Sequence, residues 1–128
     1  MPKEDEMSSV PTFLLKKLYV KRSLRNTATG FELAIQNTLA PGTIVGLAPL
    51  QIDGVEYPPE KTRVLLPNGS KLSPADVSTQ SPMRFAVGDK VTIQVEGKPL
   101  PAGPHKLTIS TKTKEAGTLQ IPAEDTIA

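Results

Sequence analysis

The stretch Gly88-Asp89-Lys90-Val91-Thr92-Ile93-Gln94-Val95 decides the fold. Gly-Asp tolerates positive φ at low steric cost and so marks a tight turn. Behind it, Val91, Ile93 and Val95 fall on one face of an extended chain, with Thr92, Gln94 and Glu96 on the other. A period of two with one apolar face is the pattern of a strand in an antiparallel sheet, dry on one side and wet on the other. The pattern recurs in both directions. Upstream, Phe31, Leu33 and Ile35 alternate with Glu32, Ala34 and Gln36. Downstream, Leu107 and Ile109 alternate with Thr108 and Ser110, and Leu119 and Ile121 flank Gln120. Further strands are expected over residues 14–21, 43–47, 50–52, 63–66 and 83–85.

Turn chemistry separates these segments. Asp53-Gly54 and Asn68-Gly69 are tight-turn dipeptides. Pro41-Gly42, Pro58-Pro59 and the prolines at 99, 101 and 104 interrupt ladders, because proline has no N–H to donate. Ser73-Pro74-Ala75-Asp76 suits one turn of helix, with serine as cap and proline in the first helical position. Turn signals spaced by about 8 to 12 residues fit a sandwich or a small barrel. Leu100-Pro-Ala-Gly103-Pro-His105 resembles the corner that precedes a core strand in immunoglobulin-like sandwiches. The expected fold is all-β, an antiparallel immunoglobulin-like β-sandwich with at most one helical turn. It should form a single domain over residues 12–128, behind a flexible tail over residues 1–11.

Composition narrows the function classes. With 128 residues the chain has the length of one domain. Its 15 basic and 13 acidic residues leave a net charge of +2, too small to imply nucleic acid or an anionic membrane as partner. The absence of cysteine removes thiolate metal sites and cysteine nucleophiles. No apolar run approaches the roughly 20 residues of a membrane span or the roughly 7 to 15 of a signal peptide, so the chain is expected to be soluble and cytoplasmic.

His105 is the only imidazole and would need a nucleophile, a carboxylate or further metal ligands to do chemistry. Its place behind Gly103 at the head of a strand fits a structural corner that hydrogen-bonds to a nearby turn. The acids are scattered and read as solvated surface, and Gly42, Gly46 and Gly54 lack the Lys-Ser/Thr and helix of a phosphate loop. No catalytic, cofactor-binding or metal site is therefore expected. Residues 7–30 hold no acid but contain Lys16, Lys17, Lys21, Arg22 and Arg25. They read as a solvated edge or as contact with an acidic partner. Leu39, Ile44, Val45, Leu47 and Leu50 exceed what one buried face explains. Either the strand there is buried on both faces, or the segment is an apolar patch that binds another subunit or a second copy. A partner interface is thus expected over Lys17, Lys21, Arg22, Arg25, Leu39, Ile44, Val45 and Leu47. A ligand pocket remains the alternative, requiring Glu56, Arg63, Arg84 and His105 to converge.

Ser23-Leu24-Arg25-Asn26, Thr29-Gly30-Phe31-Glu32, Ile52-Asp53-Gly54-Val55-Glu56-Tyr57, Phe85-Ala-Val-Gly-Asp-Lys-Val91 and Leu100-Pro-Ala-Gly-Pro-His105 together resemble the small β subunit of C-glycoside deglycosidases. The resemblance implies a non-catalytic β-sandwich accessory subunit, paired with a larger metal-dependent barrel subunit that carries out the carbon–carbon cleavage. The alternatives are a self-associating structural domain or a small ligand-binding domain.

Overall fold

A computed structural model gives the fold and describes residues 10–128. Two antiparallel sheets pack around one apolar core. The first has the order β1 (Arg25–Asn26), β2 (Gly30–Gln36), β9 (Lys90–Glu96), β6 (Thr62–Leu65), β7 (Lys71–Leu72). The second runs β5 (Val55–Tyr57), β4 (Leu50–Ile52), β10 (Gly103–Thr113), β3 (Gly42–Leu47), β8 (Met83–Phe85), and β11 (Gly117–Ile127) pairs with β10. The all-β sandwich expected from the alternation is the fold of the chain.

Register explains why the alternating residues make a core. Phe31, Leu33 and Ile35 of β2 stand opposite Val95, Ile93 and Val91 of β9, and Val64 of β6 stands opposite Ile93. All seven are buried. Since cross-strand partners share a face, each rung of the ladder brings its apolar side chains to the same side of the sheet. In the second sheet Leu107 pairs with Ile52 and Ile109 with Ile121, again all buried. Phe31 meets Tyr57 edge-on, ring centroids 5.1 Å apart, so the two sheets touch through an aromatic pair.

The single helical turn expected near Pro74 is the 3-10 turn Pro74–Asp76, with the Ser73 N–H donated to the Asp76 carboxylate at 3.1 Å. Residues 14–21 depart from the strand expected there. They form α1 (Thr12–Leu15) and a 3-10 turn (Lys16–Leu18). Leu15, Leu18 and Tyr19 are buried, a spacing of three and four residues that a helix places on one face and a strand does not. The Pro11 carbonyl accepts the N–H groups of Leu14 and Leu15 to start the turn. Of the flexible tail expected over residues 1–11, residues 1–9 lie outside the described part, and Val10 packs against the core.

β2 is also buried on both faces, not one. The segment after α1 pairs with the edge of β2: Tyr19 bridges Ile35, the Val20 N–H bonds the Ala34 carbonyl at 3.0 Å, and the Ser23 Oγ accepts the Ala34 N–H at 3.0 Å, while the Arg25 and Gln94 side chains hold Glu32 on the outward face. Glu32 and Ala34, expected in water, are 9% and 3% exposed. Among the described residues, no helix is long and apolar enough to cross a membrane.

Candidate functional site

His105 sits at the start of β10, 6% exposed, where Gly103 turns the chain with φ 118°. Its Nδ1 lies 2.7 Å from Asp53 Oδ2 and its Nε2 lies 2.8 Å from the Pro101 carbonyl. Both neighbours are acceptors, an arrangement that favours the ring with both nitrogens protonated. The Pro101 carbonyl and the Asp53 carboxylate hold its pKa above the ordinary value, against the opposing effect of burial. Asp53, in the left-handed region at φ 54°, also accepts the Lys106 N–H at 2.9 Å. That bond, together with the His105 bond, holds its carboxyl below the usual carboxylate range. The group is thus a clasp between the β4–β5 turn and the head of β10.

A second carboxylate is committed in the same way. Asp125 Oδ2 accepts the Tyr19 hydroxyl at 2.5 Å and the Leu24 N–H at 3.2 Å. Burial pushes this carboxyl up, but those hydrogen bonds and the Thr126 and Arg22 N–H groups outweigh it and hold the pKa low. Burial and the same Asp125 bond push the Tyr19 hydroxyl well above its ordinary value. Glu32 is held by Arg25, Nη2 to Oε2 at 2.7 Å, and by Gln94 at 3.2 Å. Asp125 departs from the solvated surface that the scattered acids of the sequence suggest. Its partner Tyr19 lies 106 residues away, so no local pattern could have shown the bond.

The remaining predicted residues are spread over the molecule. Lys17, Lys21, Arg22 and Arg25 are exposed, on or just after the helical segment. Lys21 borders a shallow depression with Lys106, while Arg22 and Arg25 border another beside Asp125. Ile44 is buried in the core, Leu39 and Leu47 are half-buried against it, and Val45 is half-buried on the same strand. β3 is therefore neither buried on both faces nor an open apolar patch. Arg63 belongs to the first sheet, whereas Glu56, Arg84 and His105 belong to the second, on three different strands. These four do not converge on one cavity: Arg63 lines a polar groove with Glu32 and Gln94, and His105 faces Asp53 and Pro101. Among the described residues, no three His, Asp or Glu side chains gather as metal ligands.

An apolar cleft lies on the side of Leu39. It has a volume of about 140 Å³ and opens between the sheets, walled by Leu18, Ile35, Leu39, Ile44, Phe85 and Ile121. Glu115 stands exposed at its mouth, with its carboxylate accepting the Thr43 N–H at 2.9 Å and the Thr43 hydroxyl at 2.8 Å. The Thr43 side chain and backbone bonds hold the Glu115 carboxyl below its ordinary value.

Fold and site together define a two-sheet β-sandwich domain whose interior polar groups are spent on holding its own turns. Residues 14–128 match the family model described as hydroxymethylglutaryl-CoA reductase, N-terminal domain, and the chain belongs to that family. No curated protein matches the chain. The match overturns the resemblance to the small β subunit of C-glycoside deglycosidases, and with it the role as accessory subunit of a sugar-processing complex that it implied. The physical reason lies in the motifs themselves. Asp53-Gly54, Gly103 and His105 form the clasp described above, and Phe31 and Val91 are core. Such residues report the turns and rungs of a sandwich, and fold does not determine function.

Proposed function

We propose that the chain serves a hydroxymethylglutaryl-CoA reductase as a non-catalytic β-sandwich domain, supplying an ordered surface for the part of that enzyme that performs the reaction. The family match supports the setting. The observation that carries the non-catalytic role is the engagement of His105: both of its nitrogens face acceptors of the fold, leaving neither to move a proton for a substrate. The exposed basic residues Lys17, Lys21, Arg22 and Arg25 are the surface through which an acidic face of the reductase would be met, an interaction weakened by salt. The expectations of a cytoplasmic setting, without nucleic acid or membrane as partner, belong to this reading.

The test combines activity with association. The isolated chain, given hydroxymethylglutaryl-CoA and reductant, should show no turnover. Mixed with the purified catalytic portion of the reductase, it should co-sediment as a complex that weakens when Lys17, Lys21, Arg22 and Arg25 are changed to Ser together. Turnover by the isolated chain, or no complex at protein concentrations of tens of micromolar, overturns the reading. Self-association of the chain without the reductase would point instead to a structural homo-oligomer.

A further inference from the structure

We propose that the apolar cleft beside Leu39 is a binding site for the short alkyl group of a neutral or cationic amphiphile. It lies apart from the basic surface used in the docking reading, and apart from Glu56, Arg63 and Arg84.

Three observations select this ligand. First, the walls come from both sheets and from the helical segment: Ile35 from β2, Ile44 from β3, Phe85 from β8, Ile121 from β11 and Leu18 from the 3-10 turn. Except for Leu39, these side chains are buried in the core cluster, so the walls are held by the packing of the whole sandwich. Second, a volume of about 140 Å³ is close to the roughly 150 Å³ of an apolar cavity that stays dry and takes up benzene, which sets the guest at roughly six carbons. A polar headgroup would find almost no partners inside. Third, the mouth carries a fixed negative charge. Glu115 is oriented by two hydrogen bonds to Thr43, which hold its carboxylate at the mouth, with Lys114 as its charged neighbour. Coulomb attraction at about 5 Å in water-like surroundings amounts to roughly a fourfold preference for one positive charge, and an equal penalty for one negative charge. The two factors multiply to roughly sixteenfold, which the positive charge of the neighbouring Lys114 lowers to about tenfold in favour of an alkylammonium over the alkylcarboxylate of equal length.

The experiment is a titration of the full chain with hexan-1-ol, hexylammonium and hexanoate, followed by amide shifts in ¹H–¹⁵N spectra. Saturable shifts are expected at Ile35, Leu39, Ile44 and Leu119, with hexylammonium binding about tenfold more tightly than hexanoate and hexan-1-ol lying between them. Glu115→Gln should leave hexan-1-ol unchanged and bring the two charged probes within about twofold of each other. Leu39→Trp, which adds bulk at a half-buried wall, should weaken all three probes at least tenfold while the melting temperature is retained. If Leu39→Trp does not fold, the Glu115→Gln comparison still decides. The proposal is overturned by the absence of saturable shifts, by equal affinity for the two charged probes in the native chain, or by binding that falls with protein concentration, since that would show a second copy in the cleft.

Discussion

The imidazole of His105 lies 2.7 Å from the carboxylate of Asp53, 52 residues earlier, and closes the β4–β5 turn onto the head of β10. Folding raises the His105 pKa above 6.5, so this contribution is full below pH 6.5 and is lost as pH rises through the raised value. Folding lowers the Asp53 pKa below 3.8, so its contribution is full above pH 3.8 and is lost as pH falls through the lowered value. The clasp is therefore strongest between pH 3.8 and 6.5. Urea midpoints of the native chain and of His105→Gln, which cannot titrate, should differ more at about pH 5.5 than at about pH 8.5. A difference independent of pH would refute the imidazolium assignment.

Gly30 should be intolerant of any side chain. A Cβ built there would stand 1.9 Å from the Val95 carbonyl oxygen, a backbone atom of the neighbouring strand β9 that cannot step aside without breaking the ladder. Gly30→Ala is expected to cost about 3 kcal/mol or more. Gly42→Ala is the control: its Cβ would meet only the Phe85 carbonyl at 3.9 Å, and a change below about 1 kcal/mol is expected. Denaturant unfolding of both variants checks the contrast.

Phe31 and Tyr57 join the two sheets with planes inclined by 80°. Phe31→Ala should cost about 3 to 5 kcal/mol, since the ring is 1% exposed. A double-mutant cycle with Phe31→Leu and Tyr57→Leu should return a coupling of about 0.5 to 1.5 kcal/mol. A coupling indistinguishable from zero would mean that the pair adds only buried area.

Pro122 guards an edge. β11 pairs with β10 on one side, and among the described residues no strand pairs with its other side. The carbonyls of Lys106 and Ser110 bond toward Asp53 and Ala48, so even-numbered residues of β10, Thr108 included, direct their backbone away from β11. Pro122, opposite Thr108, accordingly faces outward and leaves a missing donor on the free edge. Pro122→Thr restores that donor and should increase self-association in sedimentation experiments at high concentration, with little loss of stability.

The alternation in residues 31–36 and 91–96 was enough to read the antiparallel sheets, because a period of two leaves only one way to bury three apolar side chains at once. The turn dipeptides Asp53-Gly54 and Gly88-Asp89 were legible because few residues tolerate their backbone angles; Asp53, Gly54 and Gly88 all have positive φ. The helical segment over residues 12–18 is not legible in the sequence, since Leu14, Leu15 and Leu18 satisfy a short strand and a short helix equally until the surface that buries them is known. The pairing of residues 19–23 with the edge of β2 was hidden for the same reason.

By itself, then, the sequence determined the local grammar of this protein: its β class, its turns, and a lone histidine at a corner. Only the tertiary structure decided which groups meet. The bonds of Asp53 to His105, Asp125 to Tyr19 and Glu115 to Thr43 span 52, 106 and 72 residues. Hydrogen bonds and ion pairs act over a few ångströms of space, and distance along the chain carries no information about them until the sheets have packed.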